Sequence, residues 1–145
     1  MKAGLKLEKH SSISKKNGEL IDLKLIVTKE DNEMKVSEVV EKLGLTVFSG
    51  QKGLDREITG GYVSDLLSDV MGNTREGEIW ITLQVHQNVI AIASLKDLAA
   101  VIVVNGLEPA ENTKLNSDKE NIPILGTSLS TFDIAGKLYQ LYNPY

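Results

Sequence analysis

The 145-residue chain has no cysteine, three prolines and few aromatics: one Trp, four Tyr and two Phe. Without cysteine there are no disulfides, thiolate zinc sites, Cys-ligated iron–sulfur clusters or thiol nucleophiles. No apolar run approaches the roughly 18 residues that span a bilayer. The first residues, MKAGLKLEKHSSISKK, are basic but lack the apolar stretch of a secretory signal. Basic surface is also scarce. Residues 34–145 carry nine Lys and Arg against fourteen acids, and residues 1–33 seven Lys against six acids. No basic stripe is present to follow phosphates, and the aromatics are too scattered for a base-stacking platform. These absences predict a cytoplasmic protein that binds neither nucleic acid nor membrane.

What is present is ordinary for a globular fold: 41% hydrophobic and 25% charged residues. That composition excludes a collagen, a coiled coil or a wholly disordered chain. The length suits one domain with a sizeable core. Residues 1–33 stand apart as a partly disordered N-terminal extension. SSISKKNGE is polar and turn-like, and LIDLKLIV (20–27) alternates enough for one strand. That strand is either part of a frayed tail or an added edge strand, pairing with the body or with a second chain. Residues 34–145 form the expected α/β unit.

From Met34 onward the punctuation is regular. Val36, Val39, Val40 and Leu43 fall at helical spacing, and Gly44 caps the helix 36–43. LTVFSG (45–50) reads as a strand, QKGLDRE (51–57) as a loop, and ITGGYVS (58–64) as a strand weakened by Gly60 and Gly61. Ser64 is positioned to cap a helix beginning at Asp65, with Leu66, Leu67, Val70 and Met71 buried and Gly72 ending it. GEIWITL (77–83) is a strand, 86–99 an apolar helix with a break near Ser94, and AAVIVVNG (99–106) a central parallel strand covered on both faces. A weak helix follows Pro109, IPILGTS (122–128) is a short buried strand, and Ser130 with Asp133 opens a last helix over 131–142. Phe132, Ala135, Leu138 and Tyr139 are expected to face the sheet, with Gly136 permitting close approach. The order β-α-β-α-β-α from residue 77 predicts a three-layer α/β/α sandwich with a mostly parallel sheet, a mixed one being compatible.

In such sheets ligands bind beyond the carboxyl ends of the strands. Three loops would meet there: 82–88, with Thr82, Gln84, His86, Gln87 and Asn88; 105–108, with Asn105 and Gly106; and 126–128, with Thr127 and Ser128. Their small polar side chains could line a ligand pocket or simply cap helices and close turns. The first and third loops run into helix N-termini, whose free N–H groups would favour an anion. His86 has no carboxylate beside it in sequence to orient it as a base, and the only other histidine, His10, lies in the tail. Asp65 and Asp69, at i and i+4, read as a solvated face rather than a metal site. Phosphate-loop, dinucleotide and nucleophile-elbow motifs are missing.

The stretches LDREITGGYVSDLLSDVM (54–71), GEIWITLQVHQNVIAIASLKDLAAVIVVNGLEP (77–109) and IPILGTSLSTFDIAGKL (122–138) resemble the DRTGG-domain family. The resemblance implies an α/β/α domain similar to the N-terminal domain of HPr kinase/phosphorylase, of the kind found beside CBS domains in regulated pyrophosphatases. It implies a cytoplasmic, non-catalytic regulatory or ligand-sensing module, a homodimer, with an adenine nucleotide or another phosphate-bearing molecule as candidate ligand and no cofactor. Where the family carries Asp-Arg and Thr-Gly-Gly, this chain has His86-Gln87 and Asn105-Gly106-Leu107. Asp55-Arg56 and Thr59-Gly60-Gly61 spell the family name elsewhere in the order of elements. Two other readings stand beside this one: a protein-interaction module without ligand, and an enzyme using His86 as acid or base.

Overall fold

The computed structural model describes residues 13–16, 19–22 and 33–143. The N-terminal hairpin joins β1 (Ile13–Lys16) to β2 (Glu19–Asp22), antiparallel, with Ile13 opposite Asp22. Residues 13–16, expected to be turn-like, are thus a strand. Of the strand expected over 20–27, residues 20–22 belong to β2 and 23–27 lie outside the described residues.

The main sheet has five strands in the order β4 (Thr46–Ser49), β9 (Ile124–Gly126), β8 (Ala100–Val103), β7 (Glu78–Thr82) and β6 (Gly60–Val63). β6, β7, β8 and β9 are mutually parallel, while β4 runs antiparallel to β9. The sheet is therefore mostly parallel and mixed at one edge. The weak strand expected at 58–64 divides into two. Glu57–Ile58 forms β5, pairing antiparallel with β3 (Met34–Lys35), and β6 follows after Thr59.

Side-chain alternation along the strands divides the core into two layers. Ile79, Ile81, Ala100, Ile102 and Leu125 pack with Val36 and Val39 of α1 (Val36–Leu43) and Ile134 and Leu138 of α5 (Thr131–Tyr142). On the other face Trp80, Val101, Val103 and Ile124 pack with Val70 of α2 (Leu67–Asn73) and Val89, Ile90 and Ala93 of α3 (Asn88–Leu95). The buried Trp80 indole satisfies its N–H on the Ser64 carbonyl at 2.7 Å. α1 ends as its sequence requires: Gly44 adopts φ 64 and its N–H returns to the Val40 carbonyl.

α4 (Glu111–Glu120) buries polar rather than apolar residues. Thr113 and Ser117, one turn apart, point inward; Thr113 Oγ1 donates to the Val85 carbonyl, and Ser117 Oγ donates to the Ile122 carbonyl and pairs with Ser49 Oγ at 2.8 Å. The missing apolar stripe is why the sequence marks this helix only weakly.

Three expectations are corrected. α2 begins two residues late, at Leu67, because the Ser64 hydroxyl accepts the Leu66 N–H and turns the chain before the helix starts. Of its expected buried face only Val70 is fully enclosed, with Leu66 and Met71 exposed. On α5 the inward arc is centred on Ile134 and Leu138, so Phe132, Gly136 and Tyr139 face solvent rather than the sheet.

Candidate functional site

The carboxyl ends of β6, β7, β8 and β9 come together at one end of the sheet, and hydrogen bonds lock their loops. Asp65, just beyond β6, is the main clamp. Its Oδ1 accepts the Thr82 hydroxyl at 2.8 Å and the Leu83 N–H at 2.7 Å, and its carbonyl accepts the Gln84 side-chain amide at 2.9 Å. Asp65 was expected at a helix start; its carboxylate instead reaches across to the end of β7.

The loops after β8 and β9 are joined by backbone. Asn105 N–H donates to the Leu129 carbonyl and Gly106 N–H to the Thr127 carbonyl, each at 2.9 Å. Asn105 and Gly106 both take left-handed conformations, φ 58 and 71, which suit the Asn-Gly pair found there. Thr127 Oγ1 accepts the Leu129 N–H.

The candidate residues thus divide. Thr82 is buried and bound to Asp65, and Thr127 is committed to its own turn. Gln84 is half-buried, while His86, Asn105, Gly106 and Ser128 are exposed. The His86 carbonyl accepts the Val89 N–H, and no carboxylate among the described residues bonds to its imidazole. Gln87 and Asn88 turn away from the strand ends. Gln87 Oε1 accepts from the side-chain amides of Asn112 and Asn116, and both Gln87 and Asn88 border an open groove of about 380 Å³ between α3 and α4, with Ile90, Ala91, Ser94 and Glu120.

The helix starts are less free for an anion than the sequence suggests. At α3 the Val89 and Ile90 N–H groups are taken by the His86 and Gln87 carbonyls, and at α5 the Asp133 N–H is taken by Ser130 Oγ. Asp133 adds negative charge to that turn. The three loops contain no Lys or Arg, whereas Leu66, Leu83 and Leu107 each expose apolar surface at the same end of the sheet. Amides, an imidazole and apolar rims without cations suit a neutral, planar, hydrogen-bonding group better than a bare phosphate. Sequence reading missed Asp65 and the leucines because single acids and leucines at loop starts carry no motif.

Asp69 on α2 is held ionised below its ordinary value, first by the Ser64 hydroxyl and then by that of Tyr62; Tyr62 is raised above 10.0, chiefly by its hydrogen bond to Asp69. Among the described residues no group of three or more His, Asp or Glu is placed to hold a metal. None of the helices among them is long and apolar enough to cross a membrane.

The Asp55-Arg56 and Thr59-Gly60-Gly61 segments lie at the opposite, amino end of the parallel strands. Arg56 bonds Asp97 and the Asn121 carbonyl in the turns leading into β8 and β9, and Thr59 Oγ1 donates to the Glu76 carbonyl before β7. They brace turns at that end.

No family model and no curated protein matches the chain. Among solved structures, it is similar to the CBS and DRTGG domains of the regulatory region of Clostridium perfringens pyrophosphatase, complexed with the activator diadenosine tetraphosphate. The TM-score is 0.59 at 16% identity, over 75% of this chain and 47% of that one. The chain thus spans about half the length of that neighbour. The likeness supports a DRTGG-like α/β fold.

Proposed function

We propose that the chain is a non-catalytic regulatory domain, dimeric, that senses an adenine nucleotide at the carboxyl ends of its parallel strands. The observation that carries this reading is the composition of that end: Gln84, His86, Asn105 and Ser128 beside exposed Leu66, Leu83 and Leu107, with no cation in the three loops. Such a set offers hydrogen bonds to base edges and ribose hydroxyls and apolar surface to the base. The phosphates would project toward solvent. The nucleotide bound by the pyrophosphatase regulatory region supports the choice of an adenine compound.

The test is a thermal-shift series with adenosine, AMP, ADP, ATP and inorganic phosphate. A ligand at 100 times its Kd adds about 2.7 kcal/mol of stability. Stabilisation by adenosine and AMP alike, with none from phosphate, is the expected result. Silence from every adenine compound refutes it.

A further inference from the structure

We infer that the side-chain amide of Gln84 is the group that reads the base at this site, selecting a 6-amino purine over a 6-oxo one. The inference rests on the adenine reading above and deepens it by naming the residue that makes the choice. Gln84 Nε2 donates to the Asp65 carbonyl at 2.9 Å. A carbonyl oxygen only accepts, so the amide sits one way round: turning it over would set Oε1 against the Asp65 oxygen, acceptor against acceptor. The backbone is held as well. Gln84 N–H donates to Thr82 Oγ1 at 3.1 Å, and the Thr82 hydroxyl donates to the Asp65 carboxylate at 2.8 Å. Asp65 therefore fixes both the main chain and the side chain of Gln84.

Fixed this way, Gln84 keeps a side-chain oxygen to which no described residue donates, and one further N–H. An acceptor and a donor in one amide are the pair that meets N6–H and N7 of adenine. Hypoxanthine and guanine carry O6 beside N7, so both positions accept, and O6 would face Gln84 Oε1. A glutamine free in water escapes that clash by turning its amide over. At this site the Asp65 carbonyl prevents the turn.

The other exposed polar side chains at this end have no fixed sense. No hydrogen bond holds the His86 imidazole, the Asn105 amide or the Ser128 hydroxyl to another described residue, so each can turn to donate or to accept. Such groups suit either kind of base. Gln84 is half-buried where those three are exposed, so water competes less for its amide. Leu83 precedes it in sequence and Leu66 follows Asp65, and they are 39% and 64% exposed. The Gln84–Asp65 bond is thus flanked along both chain segments by the apolar surface that the face of a purine requires.

The experiment measures Kd for adenosine, inosine and purine riboside, which lacks the 6-amino group, by titration calorimetry on the whole chain, wild type and Q84M. Wild type should bind adenosine at least about tenfold more tightly than either analogue. Q84M keeps the length of the side chain without its amide, so adenosine should come within about twofold of both analogues. Equal binding of adenosine and inosine by wild type, or a folded Q84M that keeps the wild-type preference, overturns the assignment and leaves an adenosine-binding site in place. Silence from all three nucleosides refutes the proposed function, and the assignment falls with it. Should Q84M not fold, the side-chain N–H resonances of Gln84 in wild type decide. They should shift saturably with adenosine, and their failure to do so while adenosine binds overturns the assignment.

Discussion

Arg56 Nη1 lies 3.2 Å from Asp97 Oδ1 while Nε of the same guanidinium donates to the Asn121 carbonyl at 3.0 Å. Asp97 and Asn121 both sit in left-handed backbone, φ 53 and 56, in the turns that follow α3 and α4. One side chain thus ties two turns, each delivering the chain into a central parallel strand. The ion pair is partly exposed and by itself contributes about 0–1 kcal/mol. The guanidinium–carbonyl bond to a turn contributes more. Arg56→Ala should cost about 1–2 kcal/mol in urea denaturation, and Asp97→Asn, which removes the charge but keeps a side chain that tolerates left-handed backbone, less than about 1 kcal/mol. Equal losses from the two would show that the ion pair alone matters.

The polar seam under α4 should be more sensitive. Ser117→Ala removes the donor to the Ile122 carbonyl and the partner of Ser49 in a buried setting. A loss of about 1–3 kcal/mol is expected. The double replacement of Ser49 and Ser117 by Ala should cost less than the sum of the singles, because they share one bond. Strict additivity in a double-mutant cycle would count against the shared seam.

Asp65 joins the ends of β6 and β7. Asp65→Ala frees the Thr82 hydroxyl, a buried group, and the Leu83 N–H. The expected loss is about 1–2 kcal/mol, with faster amide exchange confined to residues 82–86. Exchange that rises equally across all of β7 would mean Asp65 supports the whole sheet rather than the loop.

The Tyr62–Asp69 pair gives a pH signature. Asp69 is depressed below 3.8, first by the Ser64 hydroxyl and next by Tyr62, so its contribution is present above that value and fades as pH falls through the lower folded value. Tyr62 is raised, so its own contribution is present below pH 10 and is lost as pH rises through the higher folded value. Tyr62→Phe should therefore be less stable than wild type at pH 7, with the gap closing below about pH 4. A gap independent of pH between 3 and 7 would show that the hydroxyl contributes without reference to the Asp69 charge.

Much of this fold is legible in the chain. The Val/Ile run at 100–103 could only be a strand covered on both faces. Helix 36–43 is marked by its valine spacing and by Gly44. The last helix is marked from Ser130 to Tyr142. Its inward face is not legible, because Phe132 and Tyr139 are as apolar as Ile134 and Leu138, and composition does not say which apolar arc the sheet covers. α4 was faint because its buried residues are Thr113 and Ser117. Strand 13–16 is not marked by alternation, since ISKK has one apolar residue in four and reads as a polar turn. At the strand ends the small polar residues were visible. Their division into clamped and exposed groups was not, since it depends on Asp65, a residue read as a helix start.

The most direct test of the nucleotide reading is an amide-resolved NMR titration of the whole chain with AMP. Saturable shifts should cluster at Leu83, Gln84, His86, Asn105, Gly106 and Ser128, at the carboxyl ends of the strands. Shifts confined to Ser94, Asn116 and Glu120 in the groove between α3 and α4, or no saturable shift at millimolar AMP, would contradict it.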